Sequence, residues 1–494
     1  MRIGFDNGKY LKLQAEKIRE RIANFGGKLY LEFGGKLFDD YHASRVLPGF
    51  HPDSKITMLK EISDDVEVVI AINAGDIEKN KIRGDLGITY DSELLRLADA
   101  FSNNGLMVGS VVLTQFSGQQ AAVAYEKKLQ SLGMKVYRHY PIEGYPADLP
   151  LIVGPEGFGK NDYIETQRPL VVVTAPGPGS GKMATCLSQI YHENLRGVQA
   201  GYAKFETFPV WNLALNHVVN LAYEAATADL NDVNMIDPFH LEAYGKTAVN
   251  YNRDVEVFPV LNAILEKVCG GTSPYRSPTD MGVNMVGFCI SDDDVVREAA
   301  AREIGRRYFQ AMCEARKGNT DSRPAQKIEI LMKKANITPT DRKVVPAARA
   351  KAEKTGGPAA AMEMEDGTIL TGKTSRLLGA SSALLLNALK YLAGIEDSVD
   401  LLSPEYIEPI MHLKVHCLGD HSPLMHLNEM LIALSIAAVS DPEAQKALDQ
   451  VGRLEGLDAH SSVILSQIDE GVFKQLGVNL TCEPQYESNK LYHT

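Results

Sequence analysis

A loop of three glycines and a lysine, flanked by an apolar run and a helical pattern, is the stretch of this chain best built for chemistry. It reads LVVVTAPGPGSGKMATCLSQIYHE over 170–193. Gly177, Gly179 and Gly181 let main-chain amides turn inward around an anion, because no Cβ blocks close approach or a positive φ. Ser180 adds a hydroxyl, the start of the following helix adds partial positive charge, and Lys182 adds a full one. Strand, glycine loop, Gly-Lys and helix together are the physical content of a P-loop, so these residues are candidates to cradle a phosphorylated ligand. Two positions depart from the usual pattern. Pro176 replaces its first glycine, and Met183 replaces the Ser/Thr that would ligate Mg²⁺. Thr185 is counted among the ligand-binding candidates, but it lies about 200° around the helix from Met183 and is no substitute ligand. Phosphate gripping therefore survives better than metal gripping. The plainer reading is a glycine-rich turn with a solvated lysine.

A literal match to the same pattern, GTILTGKT over 367–374, has the wrong context. Asp366-Gly367 sits between two extended runs, as in a hairpin turn, and Thr-Ile-Leu resists the curvature of a phosphate cradle. It is expected as a hairpin followed by a helix. GPEGFGK over 154–160 is expected as a surface turn, with a mobile lid as the alternative. Gly34-Gly35-Lys36 follows a strand and would sit at its C-terminal end, where parallel sheets bind ligands.

Carboxylates downstream of the loop could serve a nucleotide-dependent reaction by holding Mg²⁺ or by taking a proton from the acceptor. Lys204, Glu206 and Glu224 precede ATADLNDVNMIDPFH, which brings Asp229, Asp232, Asp237 and His240 into one polar stretch. Asp229 and Asp232 are the metal candidates; Asp237 and His240 join Lys182 as catalytic candidates. Turn and cap formation by Asp and Asn is the alternative. SPTDMGVN over 277–284 leads to Asp292-Asp293-Asp294, where an acid after a strand competes with helix capping. His412, His416, His421 and His426 fall close together, and the first two would share one helical face, a zinc or other transition-metal option. Cys186, in the first turns after Lys182, is a thiolate nucleophile candidate or a small buried residue.

The elements needed to position these groups are legible in the periodicity. Runs at 29–33, 66–72, 107–114, 135–140 and 170–175 read as short buried strands, with helical patterns at 92–102 and 119–132 between them. That alternation predicts an α/β fold with a largely parallel sheet, flanking helices and the P-loop-like unit. Residues 1–25 predict a surface helix, and 292–315 a long helix. The charge-, Pro- and Ala-dense stretch 317–357 is expected to carry the main boundary. Beyond it, helices at 381–392 and 427–438 alternate with strands at 463–466 and 478–481. The expected division is 1–235 as an α/β domain with the phosphate loop, 236–335 as a partly helical insertion, and 336–494 as a C-terminal α/β or α+β domain.

At 494 residues the chain exceeds one core, and its net charge of −12 argues against the basic surface that nucleic-acid binding needs. No apolar run reaches membrane-spanning length, and six scattered cysteines suggest reduced thiols. The expectation is a cytoplasmic protein with a phosphorylated small-molecule ligand, no nucleic acid and no membrane, with homo-oligomer formation left open.

LYLEFGGK, VVIAINAGDIEKNKIRGDLGITYD, VVTAPGPGSGKMATCLSQIYHE, GYAKFETFPVWNL and SPTDMGVNMVGF resemble uncharacterised protein family 0371, the bacterial domain of unknown function 1846. The resemblance covers essentially the whole chain. It implies an α/β architecture with a smaller helical insertion and a separate C-terminal domain, and it brings no catalytic residues. The residues themselves point to an ATP- or GTP-dependent kinase or ligase, with Mg²⁺ as the accompanying ion. A nucleotide or phosphometabolite sensor without turnover and a metal enzyme built on the histidine cluster are the alternatives.

Overall fold

The computed structural model describes residues 2–83, 86–420 and 423–487. Contacts divide the chain into two compact units. One comprises 2–224 and 232–300; the other comprises 225–231 and 301–494.

The first unit is organised by seven strands: β1 (Leu29–Phe33), β2 (Val66–Asn73), β3 (Met107–Thr114), β4 (Lys135–Arg138), β5 (Leu170–Thr174), β6 (Gly201–Phe205) and β7 (Gly282–Val283). They form one sheet in the order β7-β6-β1-β5-β2-β3-β4, and every neighbouring pair is parallel. Val171, Val172, Val173, Val68 and Ile70 are fully buried, as expected where a parallel sheet is covered on both faces. The predicted strands are all present, the fourth and fifth ending slightly earlier than expected. Helices α1 (Asn7–Asn24), α2 (Tyr41–Val46), α3 (Ser54–Glu61), α4 (Tyr90–Asn103), α5 (Gln120–Ser131), α6 (Lys182–Leu195) and α7 (Asn252–Val268) accompany it. The first of these is not a plain surface helix: Tyr10, Gln14, Ala15 and Ile18 are buried, and the Gln14 amide donates to the Val283 carbonyl at 2.8 Å.

Strand order fixes where connections diverge. The chain leaves β1 for β2 on one side, and leaves β5 for β6 on the other. Such a reversal opens a crevice outside the carboxyl ends of the two strands, here β1 and β5, where open α/β sheets bind ligands.

Helix α8 (Asp293–Lys317) carries the chain into the second unit, followed by α9 (Arg323–Ala335) and α10 (Val344–Thr355). The stretch 317–357 is therefore largely helical and not an extended linker: Ile328, Leu331, Val344 and Ala348 are buried, and its charges lie on the outer faces. Strands β8 (Ala359–Glu363), β9 (Ile369–Lys373), β10 (Asp458–Ser461) and β11 (Asn479–Cys482) form a mixed sheet ordered β9-β8-β10-β11. Helices α11 (Ala380–Ala393), α12 (Leu427–Ala437) and α13 (Gln467–Gln475) supply Leu384, Met430, Leu434 and Phe473 to its core, completing a separate α/β domain. The strand expected at 463–466 is absent. Pairing there belongs to Asp458–Ser461, whose polar sequence hides the strand because His460 bonds Thr481 at 2.8 Å and Glu483 at 3.0 Å while buried. The expected hairpin is present: β8 and β9 are antiparallel around Asp366-Gly367, with Gly367 at φ 85°, and α11 follows. No helix among the described residues is long and apolar enough to cross a membrane.

Candidate functional site

The loop after β5 turns its carbonyls back into the protein. The Ser180 hydroxyl donates to Gly177 O at 2.8 Å, Asn73 Nδ2 to Gly179 O at 3.3 Å, and the Thr114 hydroxyl to Ser180 O at 2.8 Å. Gly181 O accepts from both the amide and the hydroxyl of Thr185. Among the described residues, the backbone N–H groups of Gly177, Gly179, Ser180, Gly181, Lys182, Met183 and Ala184 donate to no protein acceptor. Four loop carbonyls are occupied while these amides are not, a polarity compatible with an anion. Glycine is needed in two ways. A Cβ on Gly177 would meet the Tyr90 hydroxyl at 2.2 Å, and Gly181, the N-cap of α6, lies at φ 82° against Thr114.

Lys182 begins α6 and is half-buried; its ammonium makes no ion pair or hydrogen bond with the described residues. Ser180 and Thr185, both sequence candidates, are buried and direct their hydroxyls to loop carbonyls. They shape the loop, and its main-chain amides are the donors left without protein acceptors. Cys186 is fully buried, and burial with Glu32 nearby pushes its thiol well above its ordinary range, so it is not a ready thiolate.

Across the crevice, Gly34 continues the β1 direction by donating to Phe205 O at 3.2 Å, and Gly35 takes φ 73° beside the buried Lys55 ammonium. Lys55 pairs with Asp40 at 2.7 Å, which holds that carboxyl below its usual range against the burial that would raise it. On the other sheet face, Tyr202 on β6 donates to Glu32 on β1 at 2.7 Å. Two residues on, Lys204 meets Glu206 at 2.9 Å, together with Asp254 and the Tyr251 hydroxyl at the start of α7. Burial raises Glu206 to about 7, although Lys204 opposes the rise. Burial would lower Lys204, but Asp254, Glu206, Tyr251 and Glu32 together outweigh it and hold the lysine well above its ordinary range.

The period-two spacing Tyr202, Lys204, Glu206 places all three on one face of β6, a signal present in the sequence. Their partners Asp254 and Tyr251 are about fifty residues downstream, which hid the cluster. Neighbouring strands are spaced by roughly 4.8 Å. With only β1 between β5 and β6, the cluster lies on the order of 10 Å along the sheet edge from the glycine loop.

Of the remaining candidates, Asp232 with its partner Arg253 borders the Lys204 cluster through Tyr223 and Tyr251, and the others are engaged elsewhere. Asp237 is fully buried, caps the short helix Pro238–Tyr244 and accepts from Thr279 Oγ1 at 2.6 Å. His240 Nδ1 lies 3.0 Å from Ser277 Oγ. Asp232 pairs with Arg253, and Asp229 sits on the turn Ala228–Leu230, in the residues assigned to the other unit. Glu224 accepts from the Asn234 amide, while Asp292 and Asp293 serve the start of α8, capping Val295 and pairing with His217 and Arg297. GPEGFGK is a packed turn: a Cβ on Gly157 would strike Leu151 O at 2.2 Å, and Phe158 is buried, which does not suit a free lid. His412 and His416 are exposed with ring centroids 4.9 Å apart, and His426 caps α12 and faces Asp469; His421 lies outside the described residues. Among the described residues, no three His, Cys, Asp or Glu side chains are placed to hold a metal ion. Replacing Asp237 with Ala is expected to lower unfolding stability by about 1–3 kcal/mol, by losing the cap and stranding Thr279. Phosphate affinity, measured by calorimetry, should stay unchanged.

Comparison with known proteins gives two family matches that together cover nearly the whole chain. Residues 3–336 match "Domain of unknown function DUF1846, N-terminal", and 340–492 match its C-terminal counterpart. The chain is 59% identical over 485 residues to a UPF0371 protein of Corynebacterium aurimucosum, covering 98% of this chain and 97% of that one. It is 57% identical over 490 residues to a UPF0371 protein of Streptococcus pyogenes serotype M5, covering 99% of each.

Proposed function

The chain belongs to the bacterial UPF0371 family, and we propose that its N-terminal unit binds a nucleotide or another phosphorylated small molecule at the P-loop-like segment Ala175–Lys182, most consistently for phosphoryl transfer or ligation. One observation carries this reading: consecutive main-chain amides from Gly177 to Ala184, Pro178 excepted, are left without protein acceptors while four loop carbonyls are tied back. Two further features support the reading: the loop follows β5 at the reversal of strand order beside β1, where open parallel sheets bind ligands, and Lys182 adds a full positive charge.

The residues expected to hold Mg²⁺ do not fit that task. Asp232 is paired with Arg253 and Asp229 sits on the turn Ala228–Leu230, while Met183 stands where a P-loop carries its Mg²⁺-binding hydroxyl. Met183 also favours the second reading, a sensor that binds ATP, GTP or a phosphometabolite without turning it over.

Calorimetric titration of the full chain with ATP, GTP and their diphosphates, each with and without Mg²⁺, tests the proposal. Saturable binding is expected, weakened little when Mg²⁺ is withdrawn. Product formation on long incubation separates enzyme from sensor, and absence of heat with every nucleotide and phosphosugar would end both readings.

A further inference from the structure

Resting on the phosphoryl-transfer reading, we propose that Glu206, positioned by Lys204, Asp254 and Tyr251, takes the proton from the hydroxyl of an acceptor alcohol that carries no negative charge near its reacting group. The place follows from topology. Glu206 directly follows the last residue of β6, on the same face as Glu32, and β1 alone separates β6 from the strand that feeds the Lys182 loop. Two helix N-termini, those of α6 and α7, lie at this edge: Lys182 begins the first, and Asp254 in the first turn of the second reaches Lys204. The cluster is nearly closed but not sealed, with the Glu206 side chain 11% and the Asp254 side chain 24% exposed. Gly282 on β7 keeps the flank of Glu206 clear, since a Cβ there would come within 3.3 Å of its Oε2.

The charges that face Glu206 decide the acceptor. Among the described residues, Lys204 is the ammonium that meets Glu206, set against Asp254 and Glu32 and the hydroxyls of Tyr251, Tyr202 and Tyr223; Arg253 borders Tyr251 and Tyr223 but is paired with Asp232, so that pair adds no net charge. Carboxylate outnumbers ammonium even with Glu206 protonated, so a carboxylate acceptor, as in acyl-phosphate ligation, would be repelled. A sugar, polyol, nucleoside or amino alcohol would not. In the reaction, the acceptor oxygen forms a bond to the terminal phosphorus of a nucleoside triphosphate, and its proton passes to the Glu206 carboxylate. The bond from that phosphorus to the bridging oxygen breaks, and its electron pair leaves with the nucleoside diphosphate. A carboxyl raised above the ordinary glutamate range suits this work, since its ionised form is a stronger base than a surface carboxylate. Tyr251 and Asp254 keep Lys204 in place, and Lys204 keeps the Glu206 carboxylate from rising further.

The test uses the full chain as wild type, Glu206→Gln and Glu206→Asp, with ATP and two acceptor panels, neutral or cationic alcohols and carboxylates, read by ADP release and phosphorus NMR. Glu206→Gln should bind ADP within about twofold of wild type and lose turnover on an alcohol by on the order of a hundredfold or more. The rise of kcat/KM with pH through about 7 should vanish with it, and Glu206→Asp should retain part of the activity. Wild-type turnover in Glu206→Gln, an unchanged pH limb, or turnover on carboxylates alone would overturn the proposal. Loss of ADP binding in step with turnover would do the same, by showing a structural role. Should wild type bind no nucleotide, the parent reading fails, and infrared difference titration of wild type against Glu206→Gln judges the carboxyl separately. A band titrating near neutral pH upholds Glu206 as a proton acceptor, and one already ionised by about pH 5 removes it.

Discussion

Lys182→Ala should weaken nucleotide binding by roughly 10- to 150-fold while leaving the fold intact. The ammonium contributes a charge-assisted contact worth about 1.5–3 kcal/mol, and each 1.4 kcal/mol is about tenfold in Kd. Its ammonium makes no ion pair or hydrogen bond with the described residues, so its removal strands no partner and unfolding stability should change by less than about 0.5 kcal/mol. Binding should weaken without vanishing, because the amides of Gly179 to Met183 remain. Lys182→Arg should recover part of the loss by restoring charge, though its broader head fits a glycine cradle less well. Calorimetry with ADP on the three proteins, alongside urea unfolding, reads both quantities. Equal affinity in wild type and Lys182→Ala would exclude the lysine from the site.

Lys204→Ala should be the most destabilising single change in the crevice. It leaves Glu206 and Asp254 facing one another in a nearly closed space without their counter-ion, and breaking such a pair from one side costs about 3–5 kcal/mol. The pH dependence distinguishes this from loss of packing. In wild type the lysine's raised value means that its stabilisation is fully present below the ordinary lysine range and is lost only at alkaline pH. Glu206 behaves oppositely to a paired surface acid. Its folded value lies above its ordinary one, so the stability it contributes is complete below about pH 4.5 and fades as pH rises through about 7. Without Lys204, the Glu206 carboxyl should rise further. The deficit of Lys204→Ala should then be smallest near pH 4 and largest near pH 8. Urea midpoints across that range check it, and a deficit independent of pH would point to lost packing alone.

What the sequence made legible divides by distance along the chain. Val171 to Val173 run into Gly177, Gly179 and Gly181 and then Lys182 within a dozen residues, so strand, loop and helix were readable together. The Asp366-Gly367 hairpin was equally readable, and context outweighed a literal pattern there. The order of strands was not, because β5 lies between β1 and β2 although three other strands of that sheet precede it after β1 in the chain, and nothing local marks that return. The same long-range closure hid the charge cluster: Lys204 and Glu206 were visible as candidates, but Asp254, Tyr251 and Glu32 come from other elements. Asp237 shows the reverse error. Beside His240 it looked like a catalytic pair, yet its carboxylate is consumed by the helix it caps and by Thr279. Thr185 is a milder case, since its hydroxyl returns to the Gly181 carbonyl within its own turn. Short polar residues before a helix serve the backbone first, and only the fold shows which remain available.

Co-crystallisation of the full chain with a non-hydrolysable nucleoside triphosphate tests the amide cradle most directly. The expected result is a phosphate group inside the loop, its oxygens about 2.7–3.2 Å from the N–H groups of Gly179 to Met183, with the Lys182 ammonium closing on the same group. A nucleotide bound tightly elsewhere, with those amides still turned to water, would contradict it.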